Sequence, residues 1–107
     1  MKSIRYNRLI TCVLPVGTAR VLVEVLKNRK GIITTNFYHA RGVGSAGTQR
    51  SSFAAQLERD VLEVLVTRRH ANELFDYLYE MTGIYEPHRG IMYMERVGRA
   101  TDFRLFV

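Results

Sequence analysis

Residues 9–31 read LITCVLPVGTARVLVEVLKNRKG, an apolar run followed by an amphipathic one. The apolar run Leu9–Leu14 is rich in residues that favour strands and is too short for a helix. Thr18 carries a hydroxyl that can cap the first turn of a helix. The predicted helix ends at Gly31, which adopts a left-handed backbone easily and follows a cationic last turn. This stretch therefore predicts a strand and a helix that packing must hold together.

The same pattern returns in the second half of the chain. Residues 32–40 favour a second strand, and residues 56–66 contain a third. A second helix is predicted between Thr67 and Gly83. Its apolar residues recur at the spacing of one helical face, and they are Ala71, Leu74, Phe75, Leu78 and Met81. A fourth strand is predicted over residues 91–94.

The predicted element order is βαββαβ, which is the order of an α+β, ferredoxin-like domain. Such a domain packs two helices on one face of a four-stranded antiparallel sheet. The length of 107 residues fits a single domain over 1–107. Too few elements remain to cover the other sheet face, so self-association through the sheet is expected.

Composition limits the class of protein. Residues 1–50 contain nine Lys or Arg and one acidic residue, and the whole chain has a formal net charge of +6. This imbalance favours an anionic partner, although a basic surface kept for solubility explains it equally well. The single cysteine, Cys12, excludes a disulfide framework and a cysteine-based zinc site. No signal peptide or membrane span is recognised, and a cytoplasmic protein is expected.

Two glycine-containing loops are candidates for binding phosphate. Residues 42–47, GVGSAG, offer backbone amides that a phosphate can approach closely. They lack the following helix of a dinucleotide fingerprint and the lysine of a P-loop, so a plain loop base remains the alternative. Residues 87–90, PHRG, combine a compact turn with an arginine, although a simple helix-to-strand turn has the same composition.

Chemistry of other kinds is weakly indicated. Three arginines near the end of the chain suit phosphate oxygens, although a solvated tail is the commoner explanation; they are Arg96, Arg99 and Arg104. The three histidines have no metal-ligand spacing, and no nucleophile has an obvious base. No catalytic residue and no metal site are predicted, so the protein is expected not to be an enzyme.

The combination of these segments resembles the PII (nitrogen-regulatory) signalling family over nearly the whole chain. The resemblance is carried by the strand that ends at Pro15, by RGVG at 41–44, and by Thr82 and Gly83 before the strand GIMYM at 90–94. It implies a homotrimer that binds adenine nucleotides in clefts between subunits. It also implies a flexible loop, here about 44–56, that contacts a target protein, often a membrane transporter.

The resemblance also implies which residues contact the nucleotide. Residues 42–44 match the family's loop base, which Ser45 follows directly, residues 87–90 match its phosphate-binding loop, and two arginines match its basic C-terminal pair. These residues are Gly42, Val43, Gly44, Ser45, Pro87, His88, Arg89, Gly90, Arg99 and Arg104. Arg89 is taken as an exposed arginine whose loss leaves stability nearly unchanged.

Departures from the family pattern place the chain in a divergent, PII-like branch. Ser45 and Ala46 stand where typical members have an arginine and a glutamine, and no tyrosine lies between Gly42 and Leu57. Binding of 2-oxoglutarate and of magnesium-ATP in the typical manner therefore does not follow. The expected ligand is ADP, AMP or ATP, together with a small anion such as bicarbonate.

Two other classes share this topology. One is a metal-handling protein, which requires a ligand set that the chain does not obviously offer. The other is a nucleic-acid-binding module, whose affinity for oligonucleotides would depend strongly on salt. The resemblance favours a regulatory sensor that binds no nucleic acid.

Overall fold

The computed structural model describes residues 7–41 and 58–101. Its elements are β1 (Arg8–Pro15), α1 (Thr18–Lys30), β2 (Thr35–Arg41), β3 (Glu58–Val66), α2 (Arg68–Thr82) and β4 (Ile91–Arg96). Within these ranges the strands form one antiparallel sheet in the order β2-β3-β1-β4. The predicted ferredoxin-like fold is confirmed. The predicted loop at 44–56 lies outside the described residues.

The second strand begins three residues later than predicted. Gly31 adopts a left-handed conformation at φ 68° and donates its N–H to the carbonyl of Lys27. Ile32 then donates its N–H to the carbonyl of Leu26 over 3.0 Å. The bond from Gly31 to Lys27 is that of the αL motif, which closes a helix on its last carbonyls. Residues 31 and 32 therefore complete α1 and cannot start β2.

One face of the sheet and both helices enclose the hydrophobic core. From the strands it takes Ile10, Cys12, Leu14, Leu62, Val64 and Val66, and from the helices Ala19, Leu22, Leu26, Ala71, Leu74 and Leu78. Burial raises the pKa of the Cys12 thiol to about 12, so this cysteine remains an unreactive thiol in the folded protein. Met81, predicted to face the core, is exposed, and the buried hydroxyl of Thr82 instead donates to the Leu78 carbonyl.

The start of α1 differs from the prediction that Thr18 caps it. The N-cap residue is Gly17, and the Thr18 hydroxyl donates backwards to the carbonyl of Pro15. The acceptor for the first turn is the carboxylate of Asp60 in β3, which receives the N–H of Gly17 at 2.9 Å and of Ala19 at 3.1 Å. A buried carboxylate thus takes the position that the dipole of a helix N-terminus favours.

The sheet face opposite the helices carries apolar side chains near its centre. One cross-strand row there consists of Tyr38, Val61, Val13 and Ile91. Tyr38 and Ile91 are about half exposed, at 47% and 50%. Apolar patches of this kind often mark interaction surfaces, and the expected self-association through the sheet stays a prediction.

The strands begin and end along two opposite sides of the sheet, which we call the loop edge and the opposite edge; they are not the edge strands β2 and β4. The loop edge is where β1 and β2 end and where β3 and β4 begin, next to residues 83–90. The opposite edge is where β1 and β2 begin and where β3 and β4 end. β1 has eight residues, so the two edges are separated by roughly 24 Å at the usual rise of a strand.

Candidate functional site

Residues 83–90 form a tightly hydrogen-bonded connection between α2 and β4. Gly83 ends the helix in a left-handed conformation, and its carbonyl accepts the N–H of Glu86 at 2.9 Å. Arg89 then donates its N–H to the carbonyl of Glu86. Pro87 and His88 occupy the centre of this second turn, and His88 has a positive φ of 65°. A proline followed by a left-handed residue is typical of a type II turn.

The left-handed conformation of His88 is uncommon, because most residues with a side chain avoid positive φ. Such strained conformations concentrate at ligand-binding sites, where the surrounding structure holds them in place. The side chain of His88 is exposed at the loop edge. The turn therefore presents an imidazole and a proline ring to solvent beside Arg89.

Gly90 fixes this loop to the centre of the sheet. Its φ is 139°, and a Cβ at this position would lie 1.9 Å from the carbonyl oxygen of Val13. Only glycine fits such a close approach of two backbones. Arg89 lies one residue before this contact with β1, so the contact fixes the position of its backbone at the loop edge.

Arg89 is partly buried, which corrects its description as an exposed arginine. Its Nη2 donates to the carbonyl of Thr82, the last residue of α2, over 3.1 Å. The helix has no basic residue in its last turn, so this guanidinium supplies the cation that a helix C-terminus favours. Its Nε is buried without a hydrogen-bond partner among the described residues. The absence of a side chain at Gly83 leaves room for the guanidinium, which lies 3.8 Å from the position of a Cβ there.

Arg59 is a second arginine at the loop edge, and sequence analysis did not select it. Its side chain is buried, at 6% exposure, and its Nη1 donates to the carbonyl of Arg89 over 3.3 Å. Arg59 lies directly before Asp60 at the start of β3. The one signal in the sequence that could have indicated its role is a cationic residue within a predicted strand, next to a loop. The structure thus brings two guanidinium groups to the same loop.

A small cleft of about 220 Å³ lies between the start of α1 and the end of α2. Gly17 and Thr18 border it on one side, and Met81 and Arg89 border it on the other. The cleft connects Arg89 to the helix end that Asp60 caps.

A larger cavity of about 400 Å³ lies at the opposite edge of the sheet, between the end of α1 and the start of α2. Residues 31–34 and 65–67 form its walls, and the side chains of Lys30, His70 and Glu73 add charged and polar groups. The Lys30 ammonium lies over the ring of Tyr77, 4.3 Å from the ring centre, in a cation–π contact. The cavity therefore combines apolar walls with a polar rim.

The predicted site residues are divided between the two edges. Residues 87–90 lie together at the loop edge. Arg99 follows Val97, which donates its N–H to the carbonyl of Asn7 at the opposite edge. The remaining predicted residues fall outside the described ranges, and they are Gly42, Val43, Gly44, Ser45 and Arg104. Within one chain, Arg89 and the residues that lead into Arg99 therefore lie at opposite edges of the sheet.

Two further findings concern residues 7–41 and 58–101. No group of three or more histidine, cysteine, aspartate or glutamate side chains in these ranges could hold a metal ion. Neither of the two helices found there is long and apolar enough to cross a membrane.

Comparison with known proteins places the chain in a family. Neither a protein-family model nor a curated protein matches the sequence. A candidate PII-like signalling protein from Thermus thermophilus is 30% identical over 91% of each chain, with a TM-score of 0.60. GlnK of B. subtilis is 15% identical over 87% of this chain and 86% of its own, with a TM-score of 0.59. Its complex with ATP is also 15% identical, over 89% of this chain and 87% of that one, with a TM-score of 0.59.

The two GlnK structures share the fold at low identity. The Thermus protein matches at a higher identity along nearly the full length of both chains. This identity over nearly the full length agrees with the family resemblance of the sequence. The chain belongs to the PII-like family of signalling proteins.

Proposed function

We propose that the protein is a regulatory sensor that binds an adenine nucleotide, ADP, AMP or ATP, in clefts between the subunits of a homotrimer. The observation that carries this proposal is the division of the site between two edges of one subunit. Arg89 and Arg59 are at the loop edge, whereas Arg99 and the larger cavity are at the opposite edge. A neighbouring copy can bring these two halves together.

Contact between the loop edge of one copy and the opposite edge of the next is a head-to-tail contact. Such contacts generate closed rings when the rotation between copies closes. A ring of three copies also offers a cover for the apolar row of Tyr38, Val61 and Ile91 on the open sheet face. Trimer formation thus accounts for two features that a single copy leaves unexplained.

The chemistry of the two halves suits the two ends of a nucleotide. Guanidinium groups hold phosphate oxygens through charge and a planar set of N–H donors, and Arg89 has such donors at the loop edge. The larger cavity has apolar walls from Ile32, Ile33 and Leu65, against which a flat base can pack. The GlnK–ATP complex supports this choice of ligand, because that protein shares the fold and was solved with ATP.

The remaining site residues enter the proposal from the family resemblance. Residues 42–45 contribute backbone groups near the phosphates, and Arg104 acts together with Arg99. The segment 44–56 contacts a target protein, of which a membrane transporter for bicarbonate or a nitrogen compound is one example. A small anion such as bicarbonate acts as a second ligand. The protein acts in the cytoplasm as one domain over residues 1–107, without catalysis and without binding nucleic acid.

We expect Arg89→Ala to weaken nucleotide binding by about 10- to 100-fold, the usual effect of losing a hydrogen bond to a charged group. Isothermal titration with ADP, AMP and ATP measures this change. Because Arg89 also bonds to Thr82, the variant is also expected to lose about 1 kcal/mol of stability, which thermal unfolding measures separately.

Arg20→Ala is the matched control, since Arg20 is an exposed arginine in the first turn of α1. It removes the same charge near the loop edge but no proposed contact, so its affinity should remain close to that of the wild type. Equal affinity of Arg89→Ala and the wild type would remove Arg89 from the site. Absence of heat with all three nucleotides at millimolar concentration would defeat the proposed function.

A further inference from the structure

His39 in β2 has a carboxylate facing each of its two ring nitrogens. Its Nε2 lies 3.1 Å from Oε1 of Glu58, and its Nδ1 lies 3.3 Å from Oδ1 of Asp60. His39 and Asp60 are also direct partners across the β2–β3 ladder, so the contact is built into the register of the sheet. We call these three residues the His39 cluster.

The two contacts together require a particular protonation state. A neutral imidazole has one N–H, so it can donate to one carboxylate and must turn a lone pair towards the other. The imidazolium ion has two N–H groups and can donate to both. The geometry of the His39 cluster therefore fits a protonated histidine. When the proton is lost, a hydrogen bond between the ring and one carboxylate is replaced by repulsion between a nitrogen lone pair and that carboxylate.

The His39 cluster connects three elements at the loop edge. Glu58 also accepts from Nη2 of Arg41 over 3.1 Å, so the last residue of β2 is tied to the first residue of β3. Asp60 uses its other oxygen, Oδ2, to cap α1 through the N–H groups of Gly17 and Ala19. The proton on His39 therefore affects how β2, β3 and α1 are held together.

The charges around the ring come from identified groups. Hydrogen bonds that His39 donates to two carboxylates of β3, first Glu58 and then Asp60, raise its pKa above the usual 6.5. The hydrogen bond from His39, followed by the charge of Arg41 on β2, lowers the pKa of Glu58. From α1, the backbone amides of Gly17 and Ala19 face Asp60. The two carboxylates favour the charged state of His39, and partial desolvation of the ring opposes it.

We propose that the His39 cluster is a proton-dependent contact that makes the structure of the loop edge respond to pH near neutrality. Below the usual pKa of histidine the contact is fully formed, and it is lost as the pH rises through the raised value. Gly17 and Thr18 border the same cleft as Arg89, so loosening the Asp60 cap at the start of α1 disturbs the proposed phosphate half of the site. This second step, coupling to the ligand, rests on the proposed function.

NMR titration of the His39 ring in the absence of nucleotide tests the cluster itself. His39→Gln identifies the signal, because it disappears in this variant. We expect a midpoint above 6.5 in the wild type and a lower midpoint in Glu58→Gln. Glu63→Gln is the matched control on the same strand; its carboxylate bonds to Asn36 and does not face His39, so the midpoint should not change. A wild-type midpoint at or below 6.5, or one that Glu58→Gln leaves unchanged, would overturn the proposal.

Nucleotide titration at pH 6 and pH 8 tests the coupling. In the wild type we expect the affinity for nucleotide to be higher at pH 6 than at pH 8. In His39→Gln we expect the difference between the two pH values to be smaller than in the wild type. An identical pH dependence in both proteins would overturn the coupling. If no nucleotide binds at either pH, the proposed function fails, whereas the ring titration still decides whether the His39 cluster is proton-dependent.

Discussion

Replacing Gly90 with alanine is expected to remove most of the stability of the protein. The new Cβ would lie 1.9 Å from the Val13 carbonyl, in β1, an interior strand of the sheet, and φ at this position is 139°. Either the close contact with β1 or the start of β4 must move. We expect a loss on the order of 4 kcal/mol or more, in the range typical of backbone clashes and severe strain. Urea unfolding, or the yield of soluble protein, measures this loss.

Gly98→Ala is the matched control for that substitution. A Cβ at Gly98 meets nothing within 4 Å, and its φ lies outside the left-handed region. The control should therefore remain within about 0.5 kcal/mol of the wild type. A Gly90→Ala protein with the same unfolding midpoint as Gly98→Ala would show that the loop does not approach β1 as described.

Replacing Asp60 with alanine is expected to cost about 2–3 kcal/mol. The change removes the acceptor for two N–H groups in the first turn of α1, and loss of a helix cap alone costs about 1–2 kcal/mol. The Ala19 end of this contact is buried, so that donor would be left without a partner, which adds a further cost. Urea unfolding of the intact protein gives the difference directly.

Asp60→Asn separates the cap from the charge. The amide keeps one acceptor oxygen of nearly the same shape, so this variant should retain part of the stability that alanine loses. If Asp60→Ala unfolds at the same urea concentration as the wild type, solvent satisfies the first turn of α1 and the carboxylate is not its cap.

The local features of the fold were predictable because they depend on neighbouring residues. The spacing of Leu74 and Leu78 along α2 and the left-handed glycines at 31 and 83 follow from rules that act over one or two turns. The βαββαβ order follows from these elements. The predicted start of the second strand was wrong, because the end of a helix and the start of a strand compete for the same residues.

The long-range contacts could not be read from the sequence. Asp60 bonds to the N-cap residue of α1, Gly17, which lies 43 residues earlier in the chain, and Thr18 looked like a sufficient cap by itself. His39 meets Glu58 and Asp60 because of the register between β2 and β3, which local patterns do not determine. Arg59 was missed for the same reason, since its partner is the backbone of a loop 30 residues away.

The candidate site was predictable only in part. Residues 87–90 are contiguous, so their grouping at the loop edge follows from the chain itself. The distance between Arg89 and Arg99 depends on the sheet, and the proposed sharing of a ligand between them depends on a second copy of the chain. A family resemblance supplied that step, which stays a prediction.

Sedimentation of the purified protein at micromolar concentration tests the central claim most directly. The chain has a mass of 12.4 kDa, and we predict a species of three times that mass, both alone and with ADP. A single species of 12.4 kDa under both conditions would contradict the claim, since Arg89 and Arg99 would then have no way to share a ligand.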